Sequence, residues 1–484
     1  MDKPNILIVM TDHQRADTVL SDHPAITPNL DRLGREGVTF TSTFCPSPHC
    51  CPARATFFSS LYPSRHGVWN NICNGQALST GLKDGVRLWS EDLQEAGYNL
   101  YYTGKWHVSI EEGPEDRGWR TRGATAGKGA FHGVAWDRYE KIAREEDPAA
   151  PRGEGEVIRP GYGNYTLYGT GSDSGNAHDE KVLADALETL PKLAQGDEPW
   201  CLYVGFIAPH DPYMVPKKYL DMYNVDDIPL PENYADEMSD KPAVYQRMRK
   251  TRFGQLSERE IREGIRHFWA YCTYLDDLFG RILDQLDRTG QRDNTLVLYC
   301  SDHGDYCGEH GLFAKGIPCF QGAYHVPAVV RWPQGVKNPG RQVDEFVSLA
   351  DFGPTFLDVA ACPADRHFVG ASLTPFLKDQ KPSEWRDDIH TQCNGVELYY
   401  TQRSVMTKDF KYVFNGFDWD ELYDLKNDPH EMNNLAQNPE CDDIIREMCG
   451  RLWRFAQRED DSVTNPYITV GLAPYGPGQA FKKD

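Results

Sequence analysis

Four short apolar runs in this chain end in polar residues of catalytic type, and that recurrence constrains the fold more than any other feature. Asn5 to Met10 leads into Thr11-Asp12-His13, and Asn99-Leu100-Tyr101-Tyr102 into Thr103-Gly104-Lys105-Trp106-His107. Trp200 to Ala208 leads into Pro209-His210-Asp211, and Thr295 to Cys300 into Ser301-Asp302-His303-Gly304. The runs are continuous rather than alternating, as in strands buried on both faces of a parallel sheet. Helical segments separate them: Leu88 to Ala96, Glu180 to Ala194, and Ser257 to Leu286, the last opening on Ser257 and Glu260 at capping-box spacing. The expectation is an α/β fold with a large mixed, mostly parallel sheet sandwiched by helices. In open sheets of this kind ligands gather beyond the carboxyl ends of the strands, where all four polar clusters fall.

The rest of the chain divides around this pattern. Between 112 and 177 the periodicity gives way to Gly, Pro, Arg and aromatic residues, which predicts loop insertions near the site. Ser404 to Phe414 and Glu421-Leu422-Tyr423-Asp424-Leu425 read as antiparallel strands, and Asp442 to Gln457 as a closing helix. A catalytic domain over 1–377 and a smaller α+β domain over 378–484, with an antiparallel sheet, follow from that change. A formal net charge of −21 argues against a nucleic-acid partner and against an anionic membrane surface, while leaving a local basic pocket open. No apolar run reaches the ~18 residues of a membrane span, and the N-terminal run is too short for a signal sequence. The 13 cysteines are odd in number and scattered through strands and helices, unlike a disulfide framework. A cytoplasmic location is expected for the chain as given, or a periplasmic or secreted one if a leader has been removed.

The polar clusters suggest a cation beside an oxyanion. Asp12-His13 and Asp302-His303 each pair a hard oxygen with a nitrogen at a strand end, and two such ends brought together suit one divalent ion. Singly, an Asp at a strand terminus more often caps a turn. Lys105 and His107 fall on one side of an extended backbone, and His210 and Lys315 add two further groups able to meet an anion. Alone, each reads better as a snorkelling lysine or a hydrogen-bonded histidine; together, beside a candidate metal, they read as a site. The stretch His49-Cys50-Cys51-Pro52-Ala53-Arg54 is compatible with a metal knuckle, a redox pair or chance.

Cys50-Cys51-Pro52-Ala53-Arg54 matches C-x-P-x-R, and with Ala55 to Gly67 behind it the segment resembles the signature of type I, formylglycine-dependent sulfatases. The order of motifs along nearly the whole chain is similar to that family's. Asn5 to Asp12 looks like its first metal strand, and Thr27 to Leu33 with Gly37-Val38-Thr39-Phe40 like the segment before the nucleophile. Gly104-Lys105-Trp106-His107, Pro209-His210-Asp211-Pro212, Asp302-His303-Gly304 through Lys315, and Asp420 to Leu425 follow in the family's sequence. The resemblance implies an alkaline-phosphatase-like fold and a sulfuric ester hydrolase. It makes Cys50 the residue oxidised to formylglycine by a maturation enzyme, with Cys51 only the variable position.

On that resemblance, one hydroxyl of the hydrated aldehyde attacks sulfur and deprotonation of the other expels sulfate, a covalent route with a built-in exit. Arg54 would charge-balance the formylglycine, Lys105 and Lys315 clamp sulfate oxygens, His107 take a proton, and His210 serve the leaving oxygen. Asn71 stands at the spacing of a sulfate-contacting Asn. Asp12, His13, Asp302, His303 and the modified Cys50 would hold one divalent metal, calcium by family or manganese by the nitrogen ligands. Many relatives have Asp-Asp and Asp-Asn where this chain has Asp12-His13 and Asp302-His303. The expected substrate is a small sulfated molecule, a saccharide first. The alternatives are a phosphonate monoester or phosphodiester hydrolase of the same superfamily, and an inactive glycan-binding relative. Oligomeric state stays open.

Overall fold

The computed structural model describes residues 3–75, 77–126, 136–147, 149–396, 398–465 and 468–482. Its centre is an eight-stranded sheet built from β1 (Asn5–Thr11), β2 (Val38–Phe40), β3 (Asn99–Lys105), β4 (Arg120–Ala126), β5 (Trp200–Gly205), β6 (Thr295–Ser301), β7 (Ala328–Arg331) and β8 (Arg341–Val343), in the order β8-β2-β7-β6-β1-β5-β3-β4. β7 runs against its neighbours and every other adjacent pair is parallel. Ile6 to Met10, Leu202 to Val204 and Leu296 to Cys300 are fully buried or nearly so, which is why these strands show as unbroken apolar runs.

Helices cover the sheet in two groups. α1 (Pro28–Glu36), α4 (Ala177–Leu193) and the long α5 (Glu258–Arg288) form one, and α2 (Cys50–Ser59), α3 (Trp89–Glu95) and α6 (Phe352–Val359) the other. α5 starts where the capping box predicts: the Ser257 hydroxyl accepts from the Glu260 N–H while the Glu260 carboxylate accepts from the Ser257 N–H. α2 is buried on all sides, and its Phe58 stacks on Trp89 of α3 with ring centroids 5.8 Å apart.

Beyond the main sheet lie four antiparallel strands, β9 (Ile389–Cys393), β10 (Gln402–Met406), β11 (Phe410–Asn415) and β12 (Glu421–Asp424). Alternation along them splits the side chains. Met406, Val413 and Tyr423 join the main core, whereas Val405, Tyr412, Phe414 and Leu422 pack on α7 (Asp442–Arg458). No helix among the described residues is long and apolar enough to cross a membrane, and no disulfide forms among them.

Two readings of the sequence need correction. The 112–177 stretch is not only loop: Arg120–Ala126 is the edge strand of the main sheet and Trp136–Glu145 is a helix. An edge strand of composition Arg-Thr-Arg-Gly-Ala-Thr-Ala has no apolar run to reveal it. The run 404–414 is a hairpin, turning between Met406 and Phe410. Residues 127–135, inside the expected insertion, lie outside the described residues.

Register brings the functional strand ends level. Thr11 pairs with Ser301, Met10 with Gly205, and Gly205 with Gly104. Strands β1 and β3 are separated by β5, about 10 Å in all, so a side chain leaving β3 must pass over β5 to meet one leaving β1. A glycine pair lets the backbones of β3 and β5 approach closely here. Gly104 has φ +99°, and a Cβ on it would lie 2.0 Å from the Gly205 carbonyl oxygen. Gly104→Ala should therefore destabilise the protein by about 2 kcal/mol or more in urea unfolding. Gly97→Ala, with φ +90° but open space around its Cβ, should lose only the ~1 kcal/mol of the left-handed backbone. Equal losses would show that the close approach of β3 and β5 is unimportant.

Candidate active site

Asp12 and Asp302 follow β1 and β6, neighbouring parallel strands, so the fold sets two carboxylates side by side with no solvent exposure. Cys50 arrives from above as the first residue of α2, with its Sγ 3.6 Å from Asp12 Oδ1 and 3.3 Å from His303 Nε2. Three potential anions in one buried space require cations, and three reach in. Arg54, one turn along α2, donates Nε to Asp302 Oδ2 at 2.7 Å, with Nη2 3.6 Å from Asp12 Oδ2. Its Nη1 donates to the Lys105 carbonyl and the Tyr203 hydroxyl at 3.0 and 2.9 Å. The Lys105 ammonium, crossing over β5, pairs with Asp12 Oδ2. Lys315 lies 3.7 Å from Cys50 Sγ and contacts His13 Nε2 and His210 Nε2.

The protonation states follow from this packing. Burial alone would push the Cys50 thiol up, but Lys105, Lys315 and His303 outweigh it and hold the group well below the usual thiol range. Its neighbour is the opposite case: burial drives the Cys51 thiol well above that range. Cys51 instead belongs to the frame, its N–H donating to Asn71 Oδ1 at 3.1 Å and its Sγ accepting from the Ile72 N–H at 3.4 Å. Against burial, Lys105 chief among the cations brings Asp12 down to about 2. Burial and Lys315 depress His210, yet Asp211, Cys50 and Asp12 together raise it.

The residues proposed from sequence meet in one place, with two differences of detail. The backbone is not extended at His107: β3 ends at Lys105 and His107 has φ +59°, placing its Nε2 3.1 Å from Cys73 Sγ. The expectation that Lys105 and His107 share one side of an extended strand does not hold, because the chain turns after Trp106. His13, at φ +72°, lies beside the four-donor cluster rather than in it. Donor atoms of Asp12, Cys50, Asp302 and His303 all lie within 4.8 Å of one another, and Asp12, His13 and His210 form a second such group.

The first group suits one divalent cation. Two carboxylates and a sulfur face one imidazole nitrogen. His303 Nδ1 is engaged by the Gly304 carbonyl at 2.9 Å, which leaves the Nε2 lone pair to the cluster. Buried Arg54 Nη2 has no hydrogen-bond partner, consistent with a centre built around charge rather than around paired hydrogen bonds.

The sequence reading missed the layer behind His13. Asp305 Oδ2 lies 3.1 Å from His13 Nδ1, and Asp211 Oδ1 lies 3.6 Å from the same nitrogen. Tyr213 donates to Asp305 Oδ2 and Tyr165 to Asp211 Oδ2, each at 2.8 Å. Tyr165, from the 112–177 stretch, is the hydroxyl that ties that insertion to the site. Asp211 and Asp305 each stand within two residues of a histidine already singled out, which is the only signal the sequence carries for them.

A sulfatase family model matches residues 4–361, and a model of the C-terminal part of N-sulphoglucosamine sulphohydrolase matches 308–458. The chain is 31% identical to the choline-sulfatase of Rhizobium meliloti, over 90% of this chain and 83% of the relative. It is 24% identical to an N-acetylglucosamine-6-O-sulfatase of Bacteroides thetaiotaomicron, over 90% and 82%. The crystal structure of the phosphonate monoester hydrolase of Agrobacterium radiobacter superposes with a TM-score of 0.75 at 26% identity, over 94% of this chain and 96% of that one. With a family match over most of its length and the large mixed sheet those relatives share, the chain belongs to the sulfatase family.

Proposed function

We propose that this protein hydrolyses a sulfate monoester, a small sulfated saccharide in the first place, with residue 50 as nucleophile and a divalent metal beside it. The observation that carries the reading is the setting of Cys50: a buried thiol at a helix start, facing two carboxylates and an imidazole, with Lys105 and Lys315 on either hand. A maturation enzyme converts Cys50 to formylglycine, which supplies a hydroxyl for attack and a second for release. A cation held by Asp12, Asp302, His303 and residue 50, calcium by family or manganese by its nitrogen ligands, would lower the pKa of that hydroxyl and polarise the sulfuryl oxygens.

The chain's own groups do the rest. Lys105 and Lys315 bind two sulfate oxygens and hold them as negative charge shifts in the transition state. Arg54 fixes Asp302 and balances the anionic centre. His107 accepts the proton whose loss releases sulfate, and Asn71, which accepts from the Cys51 N–H at the start of α2, contacts the sulfate. His210, raised by Asp211, carries the proton for the leaving oxygen. The second reading is phosphonate monoester or phosphodiester hydrolysis, favoured by the Agrobacterium likeness. Lys105 at the strand end inclines the reading to sulfate.

Two experiments test this reading. Mass analysis of the peptide spanning 44–65, after co-expression with a maturation enzyme, should show thiol-to-aldehyde conversion at Cys50 and none at Cys51. Conversion at Cys51, or an unmodified peptide from fully active enzyme, would falsify the nucleophile assignment. Sugar esters release a basic alkoxide and need a proton, whereas nitrophenyl esters do not. His210→Ala should therefore lose about 10² to 10⁴-fold on a saccharide sulfate and far less on nitrophenyl sulfate. Lys105→Ala should lose similarly on both; equal losses for His210→Ala would move that residue to sulfate binding.

A further inference from the structure

We propose that Arg159 and Arg252, set against Tyr165, bind a carboxylate on the leaving group of the substrate, so that the sulfated molecule is an acid such as a monosulfated uronic acid. The proposal rests on the sulfate-ester reading above and narrows its substrate class.

The placement begins with the backbone. Val157 and Tyr165 pair in a short antiparallel ladder, and residues 158–164 form the loop between them. The Gln255 side chain holds the first residue of that loop twice, accepting from the Ile158 N–H at 2.9 Å and donating to the Ile158 carbonyl at 3.1 Å. Gln255 closes the single turn Phe253–Gln255, whose Phe253 packs on Phe313 with ring centroids 5.7 Å apart, two residues before Lys315. Arg159 follows Ile158 and Arg252 precedes Phe253, so one clamp brings both to the same edge of the site.

Tyr165 links that edge to the chemistry. The Arg159 guanidinium carbon lies 5.7 Å from the centroid of the Tyr165 ring, and Nε donates to the Gly163 carbonyl at 3.1 Å. The Tyr165 hydroxyl donates to Asp211 Oδ2 at 2.8 Å, and Asp211 Oδ1 lies 3.3 Å from His210 Nδ1. One tyrosine and one carboxylate therefore separate Arg159 from the histidine assigned to the leaving oxygen, and substituents of the leaving group fall on this side.

What the two arginines lack is an anion. Arg152, in the same stretch, is met by both oxygens of Glu260 at 2.6 and 2.7 Å. Neither Arg159 nor Arg252 forms an ion pair with a carboxylate among the described residues, in a chain where acidic residues outnumber basic ones 72 to 51. Both are half-buried, and burial, with the nearby charge of Arg252, draws the Arg159 guanidinium below its ordinary value. Two like charges held together gain from an anion between them, and a planar carboxylate meets a guanidinium fork with two parallel bonds. Asp211 does not fill that role, because its oxygens are turned to the Tyr165 hydroxyl and to His13 and His210.

The test uses full-length protein co-expressed with a maturation enzyme, with nitrophenyl sulfate as the reporter. Methyl glucuronides and galacturonides monosulfated at O2, O3 or O4 are added as competitors. Each is used as the free acid and as its carboxyl methyl ester, which keeps ring and sulfate and removes the charge. A competitor occupies the catalytic centre whether or not it is turned over, so its inhibition constant is the readout. In wild type at least one acid should inhibit about 10-fold or more tightly than its own ester. Arg159→Gln and Arg252→Gln should each cut that ratio several-fold by weakening the acid, and Arg159→Lys should keep part of it. A wild-type ratio near one, or no inhibition by any acid, overturns the proposal. So do variants that weaken acid and ester equally, which would give the arginines a merely structural role. Nitrophenyl sulfate left intact by protein converted at residue 50 removes the sulfate-ester reading and this proposal with it, whereas rapid turnover without preference for an acid removes the carboxylate subsite alone.

Discussion

Two carboxylates and a low-pKa thiol share one water-poor space, and the structure around them is organised by that charge. Burying an unpaired carboxylate is prohibitive, so Asp12 and Asp302 can stand side by side only where cations are delivered to them. Arg54 comes from the helix that also carries Cys50, so the thiol and its counter-charge are held on one element. Lys105 comes from a strand two places away, one held close to β5 by the bare backbones of Gly104 and Gly205. Removing any one cation would leave a buried anion uncompensated, and the cost would fall on the fold as well as on the chemistry.

The same requirement explains why a chain with a formal charge of −21 gathers three cations at one buried place. Lys105, Lys315 and Arg54 are gathered at strand ends and helix start beside Asp12 and Asp302, so the site is a paired-charge centre rather than a basic patch. Long-range attraction of a polyanion is not what such a surface offers; short-range capture of one anionic group is. A small ester with one sulfate suits that field better than a long sulfated polymer.

What could be read from sequence divides along physical lines. Strands buried on both faces, such as Ile6 to Met10 and Thr295 to Cys300, declare themselves because every residue must be apolar. Val38–Phe40 and Arg341–Val343 are too short to show a period, and Arg120–Ala126 sits at an edge. The polar residues that the fold gathers at strand ends were legible as a group because their types are costly to bury singly. Cys50 was legible through family resemblance, since two adjacent thiols alone have several readings. Asp211 and Asp305 were not legible as a pair: they lie 94 positions apart in sequence, and only the fold turns both toward one imidazole nitrogen. The turn at His107 was hidden as well, because nothing in Lys-Trp-His announces a left-handed backbone.

The burial of Cys50 also has a meaning in time. Only 1% of this residue is exposed, and it is the first residue of a helix whose residues are all buried. A second protein cannot grip such a residue in the finished structure without pulling α2 out of the core. An enzyme that modified Cys50 would therefore have to act on chain that has not yet closed, and the share of modified molecules would be set by a race between that enzyme and folding. Slower folding, through lower temperature or a weakened β1–β6 pairing, would lengthen the interval in which residue 50 is within reach.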